Sequence, residues 1–225
     1  MITVRDLVVI LFDLDGVLLD TISSLKQAYK DVAQYLGIKP PTGEALNWAV
    51  QVGPQKALGE LFPEEDNSKA KAVFNRYWRA NIDSVSCFAG VTELLIALSY
   101  RKVMLGTVTS RNSSDTYSLL DAARIRSYMQ TVVTWGHYRV PKPSPACLTV
   151  ALQKTGKPPN KTAYVGDQAK DVLAAKSAGV LAVGAIWDVN ASKDDLRNAG
   201  ADVIAEEPME ILQLVTTGKI SNRRQ

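Results

Sequence analysis

The fold of this chain is decided by residues 7–20, which read LVVILFDLDGVLLD. The uninterrupted apolar run Leu7–Phe12 is typical of a strand that is buried on both faces of a parallel sheet. This run stops at Asp13 and is followed by Asp15 and Gly16. Alternation along a strand predicts that the two carboxylates point to the same side of the sheet. The segment therefore predicts a buried strand with an acidic carboxyl end.

Five further apolar runs of strand length follow, and segments with helical periodicity separate them. The predicted strands are Val103–Val108, Thr131–Thr134, Ala163–Val165, Val180–Ile186 and Asp202–Ala205. Pro145 and Pro208 fit the first turns of helices, with Ser144 as the N-cap of the first. Buried strands that alternate with helices predict a doubly wound, Rossmann-like α/β domain with a parallel sheet.

This alternation is interrupted from about residue 21 to residue 84, where apolar residues recur at helical spacing. We therefore predict a core of residues 1–20 and 85–218, an inserted α-helical domain of residues 21–84, and a basic tail of residues 219–225. Ligands of open α/β sheets bind outside the carboxyl ends of the strands. An insertion that leaves from this edge is expected to cover the site as a cap.

The net charge gives no sign of a polyanionic partner. The chain has 26 Lys and Arg against 23 Asp and Glu, and the excess of +3 comes from Lys219, Arg223 and Arg224. Nucleic-acid binding needs basic residues clustered on one face of a protein. We therefore expect no nucleic-acid partner, and we interpret the tail as a solvated terminus.

The cysteines, the histidine and the hydropathy pattern narrow the class of protein further. Cys87 and Cys147 are too few for a disulfide scaffold, and the single histidine, His137, excludes a histidine-built metal site. No apolar run approaches the roughly 18 residues that span a bilayer. We expect a cytoplasmic protein without a signal peptide or membrane span, either a monomer or a homodimer.

The acidic end of the first strand indicates a cation site. Two ionised carboxylates about 5 Å apart repel by roughly 3 kcal/mol at an effective dielectric constant of about 20. A hard divalent cation such as Mg²⁺, which binds carboxylates, water and phosphate, would offset this repulsion. A second acidic pair, Asp167 and Asp171, follows another predicted strand, although Asp167 alone could simply cap the next helix. Because parallel strands end at one edge, both pairs are expected to build one site.

Polar groups follow two more of the predicted strands. Thr109, Ser110 and Arg111 close the second strand, and Lys142 precedes a helix. A hydroxyl, helix N-terminal amides and a fixed ammonium suit the equatorial oxygens of a phosphoryl group. Taken singly, Thr109 fits a turn and Lys142 fits a solvated loop charge, but their order along the chain favours a phosphoryl site.

These four elements, in this order, resemble the motifs of the haloacid dehalogenase superfamily of phosphohydrolases, and the resemblance covers nearly the whole chain. Residues 13–17 look like the first motif, Thr109 the second, Lys142 the third and residues 166–171 the fourth. Residues 88–91, 142–145, 174–179 and 198–202 resemble the phosphoglycolate phosphatase branch, and the helical insertion matches the cap of that branch.

The resemblance implies a Mg²⁺-dependent phosphatase that acts on a small phosphorylated metabolite. Asp13 would attack phosphorus and form an aspartyl phosphate, which splits one hard hydrolysis into two easier steps. Asp15 would protonate the leaving oxygen and then deprotonate the attacking water. Thr109 and Lys142 would hold the phosphoryl group. The implied metal site consists of Asp13, the backbone carbonyl of Asp15, Asp167 and Asp171, the last orienting metal waters or Lys142.

The resemblance also indicates which residues contact the substrate. Gln51 and Lys56 belong to a glycine-containing cap segment that faces the site in relatives, although a surface helix start explains them equally well. Val17 stands where many phosphatases of this branch have threonine. The expected contacts are Gly16, Ser110, Arg111, Gln51 and Lys56.

Several other functions remain open at this point. A sugar phosphomutase is one, because Val17 also occurs in that branch. A receiver domain uses an acidic pair, a threonine and a lysine, but in a different order and without a helical insertion, and a binding protein that has lost activity is also compatible with the fold. A 2-haloacid dehalogenase is disfavoured because Asp15 would have no function in that reaction. A phosphonate hydrolase would need a lysine that forms a Schiff base, and Lys56 is the candidate.

Overall fold

The structure is a computed structural model that describes residues 7–63 and 66–218, without the side chains of Gln51 and Gln55. Contacts between residues divide the chain into two compact units. The first combines the chain up to Leu19 with the chain from Cys87 onward, and the second is Asp20–Ser86. The basic tail that the sequence predicts at residues 219–225 lies outside the described residues.

A six-stranded parallel sheet forms the centre of the first unit, and its strand order is β3-β2-β1-β4-β5-β6. All six predicted strands are present, with ends that differ by a few residues. The doubly wound α/β class is thereby confirmed, because this order is that of the Rossmann fold. The strands are β1 (Val9–Phe12), β2 (Met104–Asn112), β3 (Thr131–Trp135), β4 (Thr162–Gly166), β5 (Leu181–Ala185) and β6 (Val203–Ala205).

The second unit is helical and is inserted between β1 and β2, as the helical spacing of its apolar residues predicts. Its first helix packs against its fourth, where the rings of Tyr29 and Phe74 lie 4.9 Å apart. The buried Tyr29 hydroxyl donates a hydrogen bond to the carbonyl of Ala49 at 3.3 Å. The helices are α1 (Ile22–Leu36), α2 (Gly43–Val52), α3 (Pro54–Leu61) and α4 (Asn67–Ala80).

The remaining helices flank the sheet of the first unit. Helix α7 contacts α8, which contacts α9, while α5 contacts α10, so the buried strands are covered by two helical layers. Among the described residues, no helix combines the length and apolar character needed to cross a bilayer. The bounds are α5 (Val91–Tyr100), α6 (Ser113–Ala122), α7 (Ala146–Thr155), α8 (Ala169–Ala178), α9 (Lys193–Asn198) and α10 (Met209–Thr217).

Two predicted helix starts are wrong by one position. Helix α7 begins at Ala146 and its N-cap is Pro145, whose carbonyl accepts the amide of Thr149 at 2.8 Å. The Ser144 hydroxyl is therefore not the N-cap, although it accepts a hydrogen bond from the Ala146 amide at 3.3 Å. Pro208 is likewise the N-cap of α10 and does not lie in its first turn.

Candidate active site

Strands β1 and β4 are neighbours in the sheet and bring two acidic strand ends together. Phe12 pairs with Val165, and the Asp13 amide donates a hydrogen bond to the carbonyl of Val165 at 2.9 Å. Asp167 is the first residue after β4. Between these strands the chain order reverses, and ligands of open α/β sheets bind at the carboxyl ends of the strands at such a point. The acidic residues therefore lie where this topology favours a ligand site.

Three buried carboxylates converge at this edge of the sheet. Oxygen atoms of Asp13, Asp167 and Asp171 all lie within 4.8 Å of one another. The start of α8 fixes Asp171, whose second oxygen accepts the amide of Gln168 at 3.0 Å. The N-cap of α8 is Gln168, so the simpler interpretation of Asp167 as a helix cap is wrong. The Oδ1 atom of Asp167 is buried and has no hydrogen-bond partner among the described residues.

Two glycines make this close packing possible. Gly16 has a φ of +74°, and a Cβ atom at this position would overlap the carboxylate of Asp167. At Gly166, a Cβ atom would overlap the side chain of Asp171. The Gly16 amide donates a hydrogen bond to the carbonyl of Leu19 at 3.1 Å. In this structure Gly16 thus serves the packing of Asp167, and its contact with a substrate remains a prediction.

Lys142 is a buried cation and not the solvated loop charge of the simpler interpretation. Its side chain is only 1% exposed. Burial by itself would lower the pKa of Lys142, but the charges of Asp13 and Asp171 outweigh burial and raise it well above its usual value. The Nζ atom donates hydrogen bonds to Asp13 Oδ2 at 2.8 Å, Asp171 Oδ1 at 2.7 Å and Tyr164 Oη at 2.6 Å.

One ammonium does not neutralise three buried carboxylates. Burial raises the pKa of Asp13 from 3.8 to about 6, because desolvation and the charge of Asp171 outweigh the opposing effect of Lys142. Burial, followed by the charges of Asp171 and Asp13, raises the pKa of Asp167 well above its usual value. The cluster thus has more negative than positive charge, and one of its carboxylate oxygens has no hydrogen-bond partner among the described residues. Both features suit the binding of a hard divalent cation.

Asp15 has a cation of its own, Arg111, and does not join this cluster. The Arg111 Nε atom lies 2.8 Å from Asp15 Oδ2, and Nη2 lies 2.8 Å from Asp15 Oδ1. Strand β1 ends at Phe12, so strand alternation no longer governs the side chains beyond it. Two protein cations thus offset the repulsion between Asp13 and Asp15, where the sequence predicted a metal ion shared by their carboxylates. Arg111, predicted to contact substrate, is engaged with Asp15 in this structure.

Thr109 lies in β2, close to the same edge. Its buried hydroxyl accepts the amide of Arg111 at 3.2 Å, and its carbonyl accepts the hydroxyl of Tyr138 at 3.0 Å. Ser110 is exposed. The contact of Thr109 and Ser110 with a phosphoryl group remains a prediction.

Sequence reasoning missed Tyr164. This residue lies in a short buried strand, where an aromatic side chain indicates core packing. The signal that could have singled it out is its hydroxyl, because a tyrosine in a fully buried strand needs a hydrogen-bond partner. The hydroxyl accepts from the ammonium of Lys142 and donates to the carbonyl of Val108.

The two candidate substrate contacts of the helical unit lie in neighbouring helices. Lys56, in α3, is exposed, and its Nζ atom lies 3.8 Å from Oε1 of Glu60, one turn further along the helix. Gln51 lies in α2, and its side chain is outside the described residues. Substrate binding by Lys56 and Gln51 remains a prediction.

Comparisons with known proteins show similarity to a hydrolase family and to phosphatases. A family model described as "Haloacid dehalogenase-like hydrolase" matches residues 10–185. The "Probable phosphatase IndB" of Dickeya dadantii is 30% identical over 210 residues, which cover 90% of this chain and 91% of the relative. A "Phosphoglycolate phosphatase" of Pseudomonas fluorescens is 30% identical over 190 residues, which cover 80% of this chain and 70% of the relative.

A solved structure extends this similarity to the fold. The "Crystal structure of putative beta-phosphoglucomutase from Thermotoga maritima" superposes with a TM-score of 0.84 at 26% identity, covering 93% of this chain and 98% of that chain. The match to the family model contains all three residues of the carboxylate cluster and Lys142.

The raised pKa of Asp13 predicts how stability depends on pH in the metal-free protein. Because the pKa is about 6 in the folded protein and 3.8 for an ordinary aspartate, the folded form binds the proton more tightly. Stability is therefore lost as pH rises through this interval, by about 3 kcal/mol at about 1.4 kcal/mol per pKa unit. Asp13→Asn removes the titrating group. In chelator-treated protein, we expect its unfolding free energy relative to wild type to rise by about 2 kcal/mol between about pH 4 and pH 7.5.

Chemical denaturation at several pH values measures this difference. Subtracting wild type from the variant cancels the titration of carboxylates away from the cluster. Asp167 does not cancel, because the charge of Asp13 raises its pKa, and its release in the variant changes the difference in the same direction. A difference in unfolding free energy that stays constant over this pH range would contradict the assignment of a desolvated Asp13.

Proposed function

Because the chain belongs to the haloacid dehalogenase-like hydrolase family, we propose that it hydrolyses a small phosphate monoester through an aspartyl phosphate on Asp13, with Mg²⁺ as cofactor. The observation that carries this proposal is the buried cluster of three carboxylates around Lys142. A carboxylate nucleophile, a fixed ammonium and a place for a divalent cation are together what phosphoryl transfer requires.

Mg²⁺ fits the residues that are present. The buried Asp167 Oδ1 atom lacks a hydrogen-bond partner in the described part of the chain, and one ammonium faces three acidic side chains. When bound, Mg²⁺ polarises the phosphoryl oxygens and stabilises the charge that develops on them. The residues that would hold it are Asp13, Asp167, the backbone carbonyl of Asp15 and, through water, Asp171.

In this mechanism Asp13 attacks phosphorus, and hydrogen bonds to both of its carboxylate oxygens hold the side chain in one orientation. Oδ1 accepts the amide of Leu14 at 2.7 Å, and Oδ2 accepts a hydrogen bond from Lys142 at 2.8 Å. Attack forms a bond between a carboxylate oxygen and phosphorus, and the bond from phosphorus to the ester oxygen breaks. Lys142 then neutralises charge on the phosphoryl group as it passes to Asp13.

Asp15 moves the protons of both steps in this mechanism. Its side chain is 31% exposed, so water and the leaving group can reach it, and Arg111 fixes the plane of its carboxylate. In the first step Asp15, once protonated and released from Arg111, gives its proton to the leaving oxygen. In the second step it takes a proton from the water that attacks the aspartyl phosphate, which releases inorganic phosphate and restores Asp13.

Among substrates we put phosphoglycolate and related small phosphate esters first, in line with the name of the 30% identical relative from Pseudomonas fluorescens. A sugar phosphomutase is the second candidate, supported by the similarity to the Thermotoga maritima structure and by Val17. Hydrolysis delivers the phosphoryl group to water, whereas a mutase delivers it to a second hydroxyl of the sugar. The cytoplasmic location and the monomeric or homodimeric state stay predictions.

The activity is tested by the release of inorganic phosphate from a panel of monoesters in the presence of Mg²⁺. We expect wild type to hydrolyse at least one ester, and Asp13→Asn to lose about a thousandfold or more in kcat because it lacks the nucleophile. Asp121→Asn is a matched control, since Asp121 pairs with Arg126 at the surface. A wild type that hydrolyses no ester, or an Asp13→Asn protein that keeps its rate, would contradict the proposal.

Metal binding is tested separately from activity by thermal unfolding with increasing Mg²⁺. We expect Mg²⁺ to stabilise wild type, by about 2.7 kcal/mol at a hundred times its Kd. Asp167→Asn should abolish most of this stabilisation, because it replaces the carboxylate with the unpartnered oxygen. Asp121→Asn should retain it. An equal Mg²⁺ response in wild type and Asp167→Asn would place the cation elsewhere.

A further inference from the structure

Tyr164 contacts Lys142, the residue proposed to bind the phosphoryl group. It belongs to the fully buried strand β4, and its side chain is among the largest buried ones of the core. Its Oη atom lies 2.6 Å from the Nζ atom of Lys142. This contact joins a hydroxyl of the core to the charged cluster above it.

The hydrogen bonds of Lys142 account for every proton of its ammonium. An ammonium has three protons, and the acceptors are Asp13 Oδ2, Asp171 Oδ1 and Tyr164 Oη. Two of these partners are carboxylates, whereas Tyr164 is neutral. When Tyr164 and Asp171 hold two protons in place, the third is directed at Asp13, where the phosphoryl group would be transferred.

The phenol of Tyr164 is itself held in one orientation. Its single proton has two acceptors within reach, of which the Val108 carbonyl at 3.0 Å is nearer than Asp171 Oδ1 at 3.4 Å. When the Tyr164 hydroxyl donates its proton to the Val108 carbonyl, a lone pair of the hydroxyl oxygen can accept a hydrogen bond from Lys142. Val108 directly precedes Thr109 in β2, and β1 lies between β2 and β4. Tyr164 thus connects Lys142 to the strand that carries Thr109.

Core packing alone does not account for this hydroxyl. Phenylalanine would fill nearly the same volume without a polar atom to bury. Elsewhere in the core, the hydroxyls of Tyr29 and Tyr138 each donate to a backbone carbonyl. Tyr164 does the same and in addition accepts from a buried ammonium. A neutral acceptor satisfies the third proton without adding a fourth negative charge to the cluster.

We propose that Tyr164 is a positioning residue that orients Lys142 toward the phosphoryl group on its way to Asp13. This inference rests on the proposed phosphatase function. A misdirected ammonium stabilises the transition state less well, whereas the groups that would bind the rest of the ester are unchanged. Loss of the hydroxyl is therefore expected to lower kcat more than it changes KM.

The experiment compares steady-state kinetics of the whole protein in Mg²⁺ buffer with the best ester from the panel. For Tyr164→Phe we expect kcat to fall about tenfold while KM stays within about twofold of wild type. Tyr29→Phe is the matched control, because it removes an equally buried hydroxyl with one backbone hydrogen bond in the helical unit. It should keep the kcat of wild type. Circular dichroism at the assay temperature reports the folded fraction, and kcat is expressed per folded enzyme.

A double-mutant cycle with Lys142→Gln separates positioning from a structural effect. If Tyr164 acts through Lys142, the double variant is no slower than Lys142→Gln alone, because the group to be positioned is already absent. Independent multiplication of the two losses would overturn the inference. So would a Tyr164→Phe enzyme as fast as Tyr29→Phe, with wild type active. If wild type hydrolyses no ester at all, the proposed function and the inference that rests on it both fail.

Discussion

The interaction on which the site depends is the burial of the Lys142 ammonium among carboxylates from two strand ends. Asp13 follows β1, Asp171 opens α8 after β4, and Lys142 comes from the loop that precedes α7. Removing one partner of a buried ion pair costs about 3–5 kcal/mol, because the other charge remains buried and uncompensated. The cluster therefore binds three separate segments of the chain into one site.

The strand order explains why such a cluster can form at all. Strands β1 and β4 are far apart in the chain, but the reversal of strand order makes them neighbours. Gly16 and Gly166 then let the backbone approach the carboxylates of Asp167 and Asp171. The resulting cluster has three carboxylates and one ammonium. This excess of negative charge is the physical reason for expecting a divalent cation.

Two aspartates that are two residues apart in sequence acquire different environments. Asp13 is buried against Lys142, whereas Asp15 is partly exposed and paired with Arg111. Different surroundings are how two chemically identical carboxyl groups can take different roles in catalysis. In our proposal the buried one attacks phosphorus and the exposed one moves protons.

The sequence predicts much of the fold because each buried strand is an uninterrupted apolar run, and it indicates the acids because these runs end on them. The pairing of Arg111 with Asp15 was not predicted, because these residues lie 96 positions apart and no local pattern indicates their contact. Tyr164 was overlooked because an aromatic residue in such a run fits the core equally well. The roles of Gln51 and Lys56 stay predictions, because no local sequence pattern distinguishes a residue that contacts substrate from an ordinary exposed residue of a helix.

In the proposed mechanism, Asp13 carries the phosphoryl group during turnover. The direct measurement is acid quenching of the enzyme during hydrolysis of an ester labelled in its phosphoryl group, followed by peptide mapping. We expect at most one acid-stable, hydroxylamine-labile phosphoryl group per enzyme, on the peptide that contains Asp13. Label on a different residue, or turnover without any covalent label in a quench fast enough to capture the first cycle, would contradict it.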